Sequence, residues 1–162
     1  MKLKPLIALT ALVVGTAFAQ TVSVTDTWAR ATVPGQKATG AFMKITAKDG
    51  ARLVGVQSPV AGVAEIHEMK MDRDVMKMAA IAGLDLPAGK TVELKPGGYH
   101  VMLMDLKQAL PKDSTVPLTL QFVDAKGKPS QMAIQVPVSS MAPGGAMPGG
   151  MSSGHSHGDH KH

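Results

Sequence analysis

Tyr99-His-Val-Met-Leu-Met104 alternates strictly, with Val101 and Leu103 on one side of an extended chain and His100, Met102 and Met104 on the other. A period of two is the signature of a strand with one buried face. With Val101 and Leu103 in a core, the His and Met row must point outward or into a surface cleft.

Working outward, runs rich in Val, Ile, Thr and Leu recur at short intervals: 22–30, 40–47, 52–58, 61–71, 75–81, 91–95, 99–106, 116–124 and 131–138. Turn residues separate them, among them Pro34-Gly35, Asp49-Gly50, Pro87-Ala-Gly89, Pro96-Gly-Gly98 and Lys126-Gly-Lys-Pro129. Regular spacing without a 3.6-residue stripe predicts an all-β domain, a sandwich or Greek-key barrel, over residues 20–138. The competing local reading is a helix over 74–82, where Ala79-Ala-Ile-Ala82 has good helix propensity, but Gly83 and Pro87 leave it little room to extend.

The chain of 162 residues has no cysteine, twelve methionines and six histidines. Ligands limited to thioether sulfur and imidazole nitrogen suit copper, Cu(I) above all. Lys2 and Lys4 precede an apolar run from Leu6 to Phe18, and Ala17-Phe-Ala19 is a small-x-small cleavage signal. Residues 1–19 are therefore expected to be a signal peptide cleaved after Ala19, sending the protein to the periplasm; the run is too short to span a bilayer. In an oxidising compartment a free thiol beside copper would be a liability.

The formal charge is +5, falling to +3 once Lys2 and Lys4 are removed, and the basic residues are scattered singly with few aromatics. That leaves neither a patch nor a stacking platform for nucleic acid. Blue-copper electron transfer needs a cysteine thiolate, which is missing. A metal hydrolase needs a carboxylate base beside an open hard-ligand site, and Glu65 and Glu68 show no pattern that supports one. Glu68 also falls on the strand face opposite His67.

A turn near Asp72-Arg73-Asp74 folds 61–71 back on 75–81. With Asp72-Arg73 as a two-residue tip, or Met71 to Asp74 as a four-residue one, opposed residues have numbers summing to 145, so Met69 faces Met76 and His67 faces Met78. Opposed residues share a face with Cβ atoms about 4.5–5.5 Å apart, close enough for both side chains to reach one ion. Joined to the row of His100 and Met102, this gives a set of two nitrogens and two sulfurs. Met43 and Met132 read as core fillers, and Trp28 and Tyr99 as packing residues, although Tyr99 is placed to line the site beside His100.

From His67 it is ten intervening residues to Met78, twenty-one more to His100 and one more to Met102. This spacing resembles the H(M)x10Mx21HxM pattern of the periplasmic copper chaperone family PCuAC. Trp28-Ala-Arg-Ala-Thr-Val-Pro-Gly35, Leu94-Lys-Pro-Gly-Gly-Tyr-His-Val-Met-Leu103 and Val116-Pro-Leu-Thr-Leu120 are also similar to that family, so the resemblance covers nearly all of 22–138. It implies a cupredoxin-like β-sandwich holding Cu(I) through His67, Met78, His100 and Met102. It further implies copper delivery towards the CuA centre of cytochrome c oxidase, alongside a thiol-bearing Sco-type chaperone. The same ligands would serve a storage or detoxification protein that never meets an oxidase. Both readings are non-enzymatic, and a monomer is expected.

After Val138 the composition turns to Ser, Gly, Pro and Met, which cannot build a core, and the chain ends in Gly154-His-Ser-His-Gly-Asp-His-Lys-His162. Residues 139–162 are expected to be a flexible metal-binding tail. Its candidate ligands are Met141, Met147, Met151, His155, His157, His160 and His162, and its imidazole cluster suits Cu(II).

Overall fold

The computed structural model describes residues 21–144. The expected signal segment and the tail residues Met147, Met151, His155, His157, His160 and His162 lie outside them. The described chain is built from ten strands: β1 (Val22–Arg30), β2 (Ala38–Ala47), β3 (Ala51–Gln57), β4 (Ala61–Asp72), β5 (Val75–Ala80), β6 (Leu84–Leu86), β7 (Thr91–Leu94), β8 (His100–Leu106), β9 (Thr115–Asp124) and β10 (Pro129–Ser139). Each predicted run is one of these strands. The 74–82 segment is strand rather than helix, and β6 is an addition, a three-residue strand between Gly83 and Pro87 with too few positions to show a period.

One sheet runs β5-β4-β8-β2-β1, with β7 continuing beside β2, and the other runs β10-β9-β3-β6. They meet where β1 pairs in parallel with β10 at Ala29↔Val138 and Arg30↔Ser139. Inward-facing residues alternate with outward ones on both sides of this sandwich. On β9, buried Val116, Leu118, Leu120 and Phe122 interleave with Pro117, Thr119 and Gln121. They pack with Leu53, Val136, Ile45, Met43, Ile66, Val101, Leu103 and Leu106 in one core. Met43 is thus a core filler, as expected, and Met132 packs at the margin.

The first sheet is covered over part of its outer face as well. Trp28 and Phe42 are opposed on β1 and β2, with ring centroids 4.5 Å apart, and both are buried although they point away from the main core. The Phe42 ring lies back along β2 over Gly40, where an added Cβ would sit 2.8 Å from the ring edge. Gly40 therefore lets Phe42 lie flat against the sheet, and it opposes Met102 on β8. Beyond Phe42 the outer face opens into a cleft.

The β4–β5 hairpin differs from its predicted register by one rung. Its tip is Arg73-Asp74, both left-handed at φ 47° and 67°, closed by Asp72↔Val75. A two-residue turn with both central residues at positive φ matches the right-handed strand twist. Lys77 pairs with Asp72 across the hairpin. Met69 consequently opposes Met78, Met71 opposes Met76, and His67 opposes Ala80 rather than Met78. Moving the tip by one residue changes the sum of opposed numbers by two, so every side chain keeps its face.

Candidate metal centre

Strand pairing gathers the predicted ligands on the outer face of the first sheet. On β4 and β8, His67 opposes His100, and Glu65 opposes Met102. The imidazole centroids lie 5.8 Å apart, and Phe42 lies 6.3 Å from His100, so a row of rings runs from Trp28 to His67. Met78, His100 and Met102 line one cleft of about 280 Å³, together with Met69, Arg30, Thr39, Gly40, Phe42, Pro96 and Gly97. His67 adjoins His100 at the inner end of the row. Both histidines are buried, at 8% and 6% exposure, whereas Met78 is 48% exposed.

The hydrogen bonds of the two rings settle which nitrogens remain for a ligand. His100 Nδ1 lies 3.1 Å from the Gly98 carbonyl oxygen. A carbonyl only accepts, so Nδ1 carries the proton and the neutral ring presents its lone pair at Nε2. That Nε2 faces Met78 Sδ at 3.1 Å. Two lone-pair atoms in opposition do not bond each other, but both are donors to a soft ion. For His67, Nε2 lies 2.9 Å from a Glu65 carboxylate oxygen. The proton then sits on Nε2 and leaves the lone pair on Nδ1, a buried atom without a hydrogen-bond partner among the described residues. An orphaned buried acceptor calls for an explanation, and a metal-ligating role supplies one. Each ring thus has one nitrogen tied to an oxygen and the other bare, the arrangement that fixes tautomer and orientation in metal-binding histidines.

The Pro96-Gly97-Gly98 turn does much of this positioning. Gly97 is left-handed at φ 83°, and the Gly98 carbonyl accepts both from His100 Nδ1 and from the Met69 backbone N–H at 3.3 Å. One carbonyl therefore ties the His100 ring to the strand that carries His67. Tyr99 points to the other side of β8, among Glu68, Lys70, Ile81 and Val92, and does not line the cleft. Glu68 is paired with Lys70 on that side at 2.9 Å, and this contact holds the Lys70 ammonium above its ordinary pKa.

Glu65 enters the site in a role that the sequence did not suggest. Glu65 shares a strand face with His67 at a spacing of two, a signal available in principle, but a carboxylate two residues from a histidine is a weak pattern by itself. Met69, which the sequence already placed on the His67 face, lines the cleft and opposes Met78 rather than Met76. Met104 continues the row on β8 opposite Val63, away from the rings. Among the described residues no three His, Cys, Asp or Glu side chains converge; the candidate centre is a mixed one in which thioethers complete an imidazole pair. Met141, 39% exposed, follows β10 and is the first of the tail candidates.

A family model described as "Putative lipoprotein LpqE-like" matches residues 22–138. "Putative lipoprotein Lxx21020" of Leifsonia xyli subsp. xyli is 35% identical over 119 residues, covering 72% of this chain and 69% of that protein. The apo PCuAC domain from PmoF1 is 26% identical with a TM-score of 0.60, over 76% of this chain and 95% of that one. Two solution structures of DR1885 from Deinococcus radiodurans are also similar. The apo form is 29% identical with a TM-score of 0.55, over 86% of this chain and 95% of its own. The form described as CuI-DR1885 is 26% identical with a TM-score of 0.54, over 75% and 78%. With the family match spanning the whole β domain and the sandwich shared with these structures, the chain belongs to the LpqE-like family of PCuAC copper-chaperone domains.

Proposed function

We propose that this protein is an exported copper carrier that binds one Cu(I) through His67, Met78, His100 and Met102 and passes it on. The observation that carries this reading is the opposition of His100 Nε2 and Met78 Sδ at 3.1 Å, with the other ring nitrogen already held by Gly98. His67 would contribute Nδ1, the nitrogen left bare by Glu65, and Met102 the second thioether from the same cleft wall. Thioethers are neutral and soft, so the set favours Cu(I) and needs no thiolate. The half-exposed Met78 and the open cleft suit release to a partner better than long-term storage. Likeness to CuI-DR1885 supports copper as the cargo.

The recipient proposed is the CuA domain of cytochrome c oxidase, with a Sco-type thiol chaperone acting alongside. The test mixes Cu(I)-loaded protein with an apo CuA domain, with and without the thiol chaperone, and follows copper by separating the two proteins. Copper appearing on the CuA domain supports delivery; copper retained in every combination points to storage. Export through a signal peptide cleaved after Ala19 is part of the same reading, supported by the lipoprotein description of the family. The thiol attachment point of a lipid anchor has no counterpart among these 162 residues, which contain no cysteine.

Glu65 is proposed to orient His67. Glu65→Ala is expected to weaken Cu(I) binding by about 10–100-fold, the range for loss of an outer partner of a metal-binding histidine, with Glu65→Gln recovering much of it because its carbonyl oxygen still accepts from Nε2–H. Competition with a Cu(I) chelator reads both. Tighter binding in Glu65→Ala would show that Glu65 competes with copper for Nε2 instead.

The tail is proposed as a second metal-binding element using Met141, Met147, Met151, His155, His157, His160 and His162. Its boundary needs care, because Ser139 belongs to β10 and its carbonyl accepts from the Ala31 N–H at 3.0 Å. Deleting 145–162 is therefore the clean truncation. It is expected to remove Cu(II) uptake and leave the Cu(I) site intact, measured by equilibrium dialysis with each ion. Unchanged Cu(II) uptake would exclude a role for the histidine cluster.

A further inference from the structure

The β4–β5 hairpin carries more sulfur than the proposed centre uses. Along one face of it stand Met69 and Met71 on β4 and Met76 and Met78 on β5, in two opposed pairs, Met69↔Met78 and Met71↔Met76. The other face carries Lys70, Asp72, Val75 and Lys77, with Lys70 paired to Glu68 and Lys77 to Asp72. One side of the hairpin is thus mainly ion-paired and the other all thioether. Methionine is not among the residues that favour strands, and three of the four are well exposed: Met71 65%, Met76 45% and Met78 48%. Neither backbone preference nor core packing accounts for this ladder.

Its geometry suits a soft ion. The Ile81 N–H donates to the Ile66 carbonyl at 2.9 Å, which makes Ile66 and Ile81 a hydrogen-bonded pair. Stepping by one rung at a time towards the tip, His67/Ala80, Met69/Met78 and Met71/Met76 all fall at the alternate, non-hydrogen-bonded positions. There the Cα atoms are about 4.5 Å apart and side chains are closest. Two opposed thioethers can therefore approach one ion. Successive rungs on one strand lie about 7 Å apart, a span that two long unbranched side chains can bridge. On β4 exposure falls from Met71 at the tip through part-buried Met69 to buried His67, whereas on β5 Met76 and Met78 are about equally exposed, Met78 lying against His100 Nε2.

We propose that Met71 and Met76 form a second, weaker Cu(I) site at the hairpin tip, from which the ion passes over the Met69–Met78 rung to and from the imidazole centre. The inference rests on the reading of His67, Met78, His100 and Met102 as the core site. Each step is a ligand exchange among neutral donors: along the hairpin one thioether joins the ion as another leaves, and at the centre the lone pairs of His67, His100 and Met102 join Met78 as Met69 leaves, with no proton released and no change in oxidation state. A two-sulfur site at the tip holds the ion more loosely than the four-ligand centre, so it loads second and empties first.

The test uses the full chain labelled with ¹³C at its methionine methyls, titrated with Ag(I) as a redox-silent stand-in for Cu(I), and each methyl resonance assigned by single Met→Leu changes. The expected result is that Met78 and Met102 shift with the first equivalent, and Met71 and Met76 shift together on further addition. Met71→Leu/Met76→Leu is then expected to slow Cu(I) transfer to a chelator by about tenfold while leaving the affinity of the first equivalent unchanged. Met71 and Met76 methyls that stay still while Met78 and Met102 move would overturn the tip site and leave the core reading standing. A double variant that transfers at the original rate would overturn the relay. If Met78 and Met102 stay still, the core reading itself fails, whatever the tip does.

Discussion

Replacing His100 with alanine is expected to lower Cu(I) affinity by at least about 100-fold, beyond the 10–100-fold typical of removing only an outer partner of a ligand. His100 is the residue on which the site converges. Its Nδ1 is held by Gly98, its Nε2 faces Met78, and its ring stands between His67 and Phe42. Because its ring is buried, the alanine variant also leaves a void beside Phe42 and loses some stability. Met102→Leu separates the two effects. It removes a sulfur donor at nearly constant volume, a swap that usually costs under about 1.5 kcal/mol, so weakened Cu(I) binding in a protein that melts normally would be due to ligation. Competition titration against a Cu(I) chelator, paired with thermal unfolding of the apo forms, measures both. Unchanged affinity in both variants would contradict the assignment.

The second large effect lies three residues along the same strand. Leu103→Ala is expected to destabilise the fold by about 2–5 kcal/mol, because Leu103 is fully buried between the sheets with Val101, Leu118 and Leu120. Urea denaturation of the apo protein reads this directly. The folded fraction is expected to bind one Cu(I) with unchanged affinity, since Leu103 points away from the cleft. Stability and copper binding therefore respond to alternate residues of one strand. A Leu103→Ala protein with full stability and impaired copper binding would reverse the two faces of β8 and with them the whole placement of the site.

That alternation was legible in the sequence because it depends only on strand geometry. Val101 and Leu103 against His100 and Met102 fixes which side faces the core without any knowledge of the neighbouring strands. The hairpin was legible in its faces and not in its rungs: a tip at Asp72-Arg73 and one at Arg73-Asp74 each pair an aspartate with an arginine in a left-handed conformation that arginine seldom takes, so residue preference did not separate them. The error of one rung left the sulfur face intact while exchanging which methionine meets which. Adjacency of β4 and β8, which brings His67 opposite His100, is a long-range pairing that no local pattern specifies. The Gly98 carbonyl and the Glu65 carboxylate belong to the same class. Both act through strand neighbours and ring tautomers, which become visible only once the sheet is assembled. Leu84–Leu86 was missed for a simpler reason, being a strand too short to show its period.

The most direct test of the central claim is X-ray absorption at the copper edge, on protein lacking 145–162 and loaded with one equivalent of Cu(I). The predicted spectrum has mixed nitrogen and sulfur ligation, with the sulfur contribution reduced in Met78→Leu and again in Met78→Leu/Met102→Leu. A spectrum with no sulfur scattering, or one that both substitutions leave unchanged, would contradict a copper site built from His67, Met78, His100 and Met102.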